Sequence, residues 1–373
     1  MPARPVPDRT LRHTVKVRLQ SPNHSAACKV LKLDDSTLRH RLALALKRFG
    51  PECGITREMI GEAKLRNVGL DHLVEPSKPR EFTVTATPDG DMDVDELLEH
   101  RIKAFEKRKR AEEARKLIPV KVHVPGPIGI LHFGDPHVDD DGTDILALKR
   151  HKELCAKTEG LFAANVGDVT NNWVGRLAKL YAEQATTASQ AWQLAEWLIK
   201  GTPWLYLIGG NHDGWSGAGD PLKWIARQAD SIYQSSECRL ELQLPSGHRP
   251  RINARHDFAG HSQYNPAHGP MKALLFGIRD HIAICGHRHK SGHGVLKDPA
   301  SGIICHTIQV SSYKIYDRYA REKGFRDQSL SPCVMTVIDT RLAEDHPDFI
   351  TLWWDPEHGA DYLRFIRKQA KAA

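Results

Sequence analysis

The chain has 373 residues, 40% of them hydrophobic and 27% charged, with a net charge of +7 and a pI near 9.0. No apolar run approaches the roughly 20 residues that cross a bilayer, and the opening MPARPVPDRT lacks the apolar stretch of a secretory leader, so a cytoplasmic protein is expected rather than a membrane-spanning or secreted one. The seven cysteines are scattered, odd in number and without a CxxC pair, which points to reduced, mostly buried thiols rather than a disulfide framework or a zinc module.

The charge is uneven: residues 1–80 carry 16 Lys and Arg against 8 Asp and Glu, so the remainder is near neutral. A basic N-terminal segment suggests an anionic partner, nucleic acid first. Residues 1–10 read as a disordered leader. In 24–50, Ala27, Val30 and Leu31 fit one short helix, and Leu38, Leu42 and Leu46 a second. Asp35 or Ser36 is available as the second helix's N-cap, and Gly50-Pro51 stops it. The segment resembles bacterial and phage helix-turn-helix modules, in which the second helix enters the DNA major groove. Thr37, Arg39, His40, Arg41 and Lys47 are then the candidate DNA-binding residues. A plain helical hairpin is the bland alternative.

Residues 76–91 read as a linker with one strand at 81–86. Residues 93–116 read as a charged helix with a narrow stripe of Leu97, Leu98, Ile102 and Phe105. A solvated connecting helix is expected, with a coiled coil joining a homodimer as the alternative. The domain expectation is therefore a basic helical domain over 1–75, a linker and charged helix over 76–124, and a second domain over 125–373.

Beyond Val124, strands are expected at 128–133, 161–166, 204–208, 251–254, 282–285, 303–310, 334–338 and 350–354. Helices are expected at 144–158, 174–200, 220–232 and 270–279, and a short basic helix or frayed end at 359–373. The alternation predicts a layered α/β domain. Its strands end in polar turns that carry metal-ligand types. GDPH follows the first strand, GDVTNN the second, GGNHD the third, RHDFAGH the fourth and GHRH the fifth. Strand ends on one sheet edge form the crevice of such folds, and oxygen with imidazole ligands suits manganese, iron, zinc or nickel. In extended geometry His287 and His289, on alternate positions, would face one site.

The ordered set of D-x-H, GD, GNHD, H and GHxH closely resembles the calcineurin-like metallophosphoesterase superfamily, in a nuclease or phosphodiesterase branch with phage-encoded members. The resemblance covers about residues 127–340 and implies an α/β fold of four-layer α-β-β-α type. It implies two divalent metal ions, with manganese the first choice. Asp135, His137 and His289 would hold the first ion and Asp168 would bridge. Asn211, His256 and His287 would hold the second, with His261 as fallback for His256. It further implies phosphoester hydrolysis by attack of a metal-bridging hydroxide, with His212 protonating the leaving group. The chain departs from the phosphatase branch at Asn171, where that branch has an aspartate supporting the histidine, and Asn172 stands where it has an arginine. An amide orients His212 but does not stabilise an imidazolium as a carboxylate would. Trp173, Arg176 and Tyr264 are candidates to line a substrate groove.

A metal-dependent phosphodiesterase or nuclease acting on DNA is thus the first expectation. The alternatives are a phosphomonoesterase or small-nucleotide phosphodiesterase, and a DNA-binding protein without catalysis.

Overall fold

The computed structural model describes residues 5–75, 93–171, 184–214, 220–316, 318–324 and 326–372. The chain divides into two compact units, Met1–Met92 and Asp93–Ala373.

The first unit is helical: α1 (Asp8–Gln20), α2 (His24–Leu31), α3 (Asp35–Phe49), α4 (Arg57–Ile60) and α5 (Glu62–Asn67). The expected leader is corrected, because α1 already begins at Asp8 and buries Leu11, Thr14 and Val15, a helical-period stripe hidden among basic residues. Helix α3 is the hub, its Leu38, Leu42, Ala43 and Leu46 closing on Leu11, Ile60 and Leu65. Its N-cap is Asp34, one residue ahead of the expected Asp35 or Ser36. The Asp34 carboxylate accepts from the Thr37 N–H at 2.8 Å and the Thr37 hydroxyl at 2.6 Å. Gly50, at φ 74°, ends the helix as expected. Of the apolar residues assigned to the α2 face, Ala27 is buried but Val30 is 67% exposed.

Among the candidate DNA contacts, Thr37 is engaged in that cap, Arg39 pairs with Asp35 at 2.7 Å, and Lys47 donates to the Val68 carbonyl. His40 and Arg41 stand half-exposed on α3. The strand expected at 81–86 lies outside the described residues.

The second unit opens with α6 (Val94–Arg115), in which no residue is buried and Leu97, Leu98, Ile102 and Phe105 all face out. There follow β1 (Ile118–Lys121), β2 (Ile128–Phe133), α7 (Ile145–Lys157), β3 (Leu161–Asn165), α8 (Ala188–Ile199), β4 (Trp204–Ile208), α9 (Pro221–Ala226), β5 (Ile232–Gln234), β6 (Glu237–Gln243) and β7 (Arg251–Arg255). Then come α10 (His268–Phe276), β8 (Ile282–Cys285), β9 (Gly292–Lys297), β10 (Ile304–Gln309), α11 (Arg318–Glu322), β11 (Cys333–Ile338), β12 (Ile350–Trp353) and α12 (Pro356–Ala372).

The strands form two six-stranded sheets, ordered β12-β11-β2-β3-β4-β5 and β1-β6-β7-β8-β10-β9. Strands β2 to β5 run parallel, as do β7, β8 and β10. Ile128, Ile130, Val166 and Ile208 of one sheet meet Ile252, Ile282, Ile284 and Ile308 of the other in a central apolar layer. The outer face of the first sheet packs Leu131, Phe133 and Leu207 on Leu148, Leu198 and Leu363 from α7, α8 and α12. The outer face of the second packs Ala283, Cys285 and Cys305 on Leu274 from α10. The result is a four-layer α-β-β-α sandwich. Strands covered on both faces, such as β2, read as near-continuous apolar runs, and those are the ones legible in sequence. The expectations missed β1, β6 and β9, whose more exposed residues alternate with buried or partly buried ones, and the three-residue β5, which is partly buried throughout. Helix α8 starts only at Ala188, behind a capping box of Thr187 and Gln190; residues 174–183 of the longer helix expected there lie outside the described residues.

One histidine of this unit is structural. His132 in β2 is buried, with Nδ1 2.9 Å from the Tyr206 hydroxyl and Nε2 2.9 Å from the Thr336 hydroxyl. Burial lowers its pKa to about 3. Because the folded value lies below the unfolded one near 6.5, its stabilising effect is complete above about pH 6.5 and is lost as pH falls toward 3. Between pH 7 and pH 5 this group should remove about 2 kcal/mol of stability. Denaturant titrations of wild type and His132→Gln at both values should show a correspondingly smaller pH loss in the variant. Equal losses would exclude the effect.

Candidate metal centre

Five loops at the C-terminal ends of β2, β3, β4, β7 and β8 supply the site. After β2, Gly134 lies so close to the Ser311 main chain that a Cβ would sit 1.8 Å from its carbonyl oxygen, so no larger residue fits immediately before Asp135. The Asp135 carboxylate accepts from the His287 N–H at 2.6 Å, and its other oxygen is buried with no hydrogen-bond partner. After β3, a Cβ on Gly167 would strike the His256 ring at 2.2 Å. Asp168 accepts from the His212 N–H at 2.9 Å and presents its second oxygen 3.2 Å from His256 Nε2. The two turns are tied, since the His137 N–H donates to the Asp168 carbonyl at 3.0 Å.

The candidate ligands fall into two groups: Asp135, His137 and His289, and Asp168, His256 and His287. In each, the ligand atoms lie within 4.8 Å of one another. Within the first, His137 Nε2 and His289 Nε2 are 3.2 Å apart, and His289 Nε2 is 3.4 Å from Asp135. Within the second, His287 Nδ1 is 3.1 Å from His256 Nε2. His137 Nε2 is also 3.9 Å from the Asp168 carboxylate, which therefore faces both groups. Ligands about 2.0–2.1 Å from a shared tetrahedral ion stand about 3.3 Å apart. With the orphaned Asp135 oxygen, these separations fit a pair of divalent ions; the chemistry of the donors does not fix their identity.

The ring orientations are set by a second layer. The His256 Nδ1–H donates to the Val166 carbonyl at 2.9 Å, which leaves Nε2 as the ligand nitrogen. Asn211 Oδ1 lies 2.9 Å from that same Nε2. Burial alone would lower the His256 pKa, but the Asp168 and Asp135 carboxylates outweigh it and raise the value to about 10. Burial would likewise raise Asp168, but His256 and the other imidazoles hold it far below the usual carboxylate range. Burial keeps His137 well below its ordinary value.

His287 and His289 are not on alternate positions of a strand. Strand β8 ends at Cys285, and both residues sit in the left-handed region at φ 70° and 49°, so each ring turns to a different group. His137 at φ 40° and Asp168 at φ 47° share this conformation, which costs a non-glycine residue of order 1–3 kcal/mol. Among the described residues only Lys32 and Asp230 join these four as non-glycines at positive φ. His261 is exposed and outside both groups.

His212 is held differently from expectation. Its Nδ1–H donates to the main-chain carbonyl of Asn171, not to the side-chain amide. The Asn171 amide instead donates to Asp140 at 2.6 Å, and its N–H donates to Asp139 at 2.6 Å. Lys314 Nζ closes the cluster 2.9 Å from Asp140. Burial raises Asp139 to about 6. Sequence reading passed over these aspartates because the run HVDDDG reads as a solvated turn. Asp213, a ligand type of the GGNHD turn to which sequence reading gives no specific role, is buried and accepts from the main-chain N–H groups of Gly210 at 2.8 Å, Thr170 at 3.0 Å and Val169 at 3.3 Å. Burial and the Asp168 charge push Asp213 up to about 7. Its position after GNH was the available signal. Tyr264 is 96% exposed, while Trp173 and Arg176 lie outside the described residues.

No family model and no curated protein matches the chain. Among solved structures, NAD nucleotidase (NadN) of Haemophilus influenzae aligns at 9% identity and a TM-score of 0.31, over 61% of this chain and 49% of the other. Pseudomonas putida nuclease MPE aligns at 17% identity and a TM-score of 0.30, over 60% of this chain and 86% of the other. The chain thus spans about half the length of the nucleotidase. Similarity at this level adds no weight to either activity.

Proposed function

We propose that the chain is a two-metal phosphoester hydrolase that cleaves phosphodiesters of nucleic acid, DNA first. The observation that carries this reading is the pairing of two Asp/His groups around Asp168, with the ligand atoms of each within 4.8 Å of one another. Asp135, His137 and His289 would hold one ion, Asn211, His256 and His287 the other, and Asp168 both. Bound ions would polarise the phosphoryl oxygens and lower the pKa of a water between them.

The chain's own residues do the rest. With Nδ1–H committed to the Asn171 carbonyl, His212 keeps Nε2 for the substrate side, where it holds or delivers the proton that the leaving oxygen needs. The ring is edge-on to His137, with centroids 5.1 Å apart, so that proton is held beside the first ion position. A main-chain carbonyl in place of a carboxylate stabilises the imidazolium less, which supports diester over phosphatase chemistry. The basic first unit, with His40 and Arg41 half-exposed on α3, supports a polyanionic substrate through phosphate contacts.

The test compares bis-p-nitrophenyl phosphate, p-nitrophenyl phosphate, and single- and double-stranded DNA, each with Mn²⁺, in wild type and Asp168→Asn. Diester and DNA cleavage that disappear in the variant are expected. Monoester turnover without DNA cleavage would replace this reading with a phosphatase.

A further inference from the structure

We propose a third metal site, in the first unit, formed by His24, Cys28 and Asp35 and suited to a structural zinc ion across the α2–α3 turn. It shares no residue with the paired centre and does not depend on the catalytic reading. His24 and Cys28 are four residues apart, on one face of α2, and Asp35 is the first residue of α3. Their ligand atoms lie within 4.8 Å of one another.

Three observations favour an ion over simple packing. His24 Nε2 is buried without a hydrogen-bond partner, although Asp35 Oδ1 is 3.2 Å away. That separation is close to the roughly 3.3 Å expected between a nitrogen and an oxygen sharing a tetrahedral zinc. The other Asp35 oxygen is engaged by Arg39 Nε at 2.7 Å, which fixes the carboxylate with its free oxygen turned to His24. One imidazole, one thiolate and one carboxylate are zinc ligand types, and the two anions neutralise a divalent charge, leaving a fourth position for water. Cys28 is free and only partly buried, so an ion can reach it. Counting cysteines along the sequence pointed away from zinc because the thiol here works with a histidine and an aspartate rather than a second cysteine. Such an ion would clamp a turn of three residues, Lys32 at φ 52°, Leu33 and Asp34, and fix α3 against α2.

The test is an anaerobic titration of the full chain with Co²⁺, up to three equivalents. The paired centre contains no cysteine ligand, so only the third site gives a thiolate-to-cobalt charge-transfer band. One thiolate-bound cobalt per chain is expected, with the band lost in Cys28→Ser and kept in Cys53→Ser. His24→Gln and Asp35→Asn should each raise the cobalt concentration required by roughly tenfold or more, since each removes one of three ligands. They decide the matter if Cys28→Ser does not fold. No band within three equivalents, or a band that survives both Cys28→Ser and His24→Gln, would overturn the proposal.

Discussion

Asp168→Ala should empty both positions of the paired centre at once, whereas His289→Ala should empty only the first and His287→Ala only the second. Asp168 is the carboxylate within reach of both groups, 3.2 Å from His256 Nε2 and 3.9 Å from His137 Nε2. Removing it leaves the imidazoles with no shared anion to offset the repulsion between two cations. Hydrolysis should fall on the order of 10³-fold or more, the scale of losing direct electrostatic stabilisation at the reacting centre. Elemental analysis after dialysis gives the stoichiometry, and diester turnover gives the rate. Retention of either ion at full occupancy in Asp168→Ala would contradict the bridging role.

The same centre predicts a pH dependence. His256, raised to about 10, carries a proton in the metal-free protein at neutral pH. An entering ion must displace it, so binding releases a proton and affinity should rise with pH, roughly tenfold per unit while that proton remains bound. Competition titrations at pH 7 and pH 8 measure the slope, and equal affinities at the two would remove His256 as the displaced acid.

The second large effect concerns His212. Asp140→Asn should lower kcat about 10- to 100-fold, the usual cost of disturbing a group that orients a working imidazole, while KM and metal content stay near wild type. Asn171 links the two: its main-chain carbonyl accepts from His212 and its amide is held by Asp140 at 2.6 Å, with Lys314 behind it. A double variant separates positioning from general destabilisation. In a His212→Ala background Asp140→Asn should cost almost nothing further, because residues that act as a unit are not additive. A full additional loss would show that Asp140 acts elsewhere.

Much of the second unit could be read from the sequence for one reason. Strands such as 128–133, 204–208 and 282–285 are buried on both faces, so they appear as apolar runs of the observed length, interrupted in the first only by His132. Most of the ligand residues are legible because they follow such a run behind a glycine, whereas His256 follows Arg255 at the end of the half-buried β7. Less legible was everything whose signal is not local. Strand β6 alternates buried residues with charged ones and looks like surface. Helix α1 hides three buried residues in a basic stretch. Asp139, Asp140 and Lys314 meet only in the folded chain, across a separation no spacing rule spans. Strand alternation does not predict the geometry of GHRH, because β8 ends at Cys285 and the backbone turns left-handed at His287 and His289.

The left-handed ligands set a limit on how far this fold can be improved. His137, His287 and His289 occupy backbone positions that glycine, and to a lesser degree asparagine, would adopt more comfortably. A selection that rewards only thermal tolerance of the metal-free chain would drift toward those residues, gaining roughly 1 kcal/mol at each step. It would arrive at a hardier protein that lacks three of the imidazoles proposed to hold the ions. Ranking variants by melting temperature without metal would therefore discard the residues on which the proposed chemistry depends.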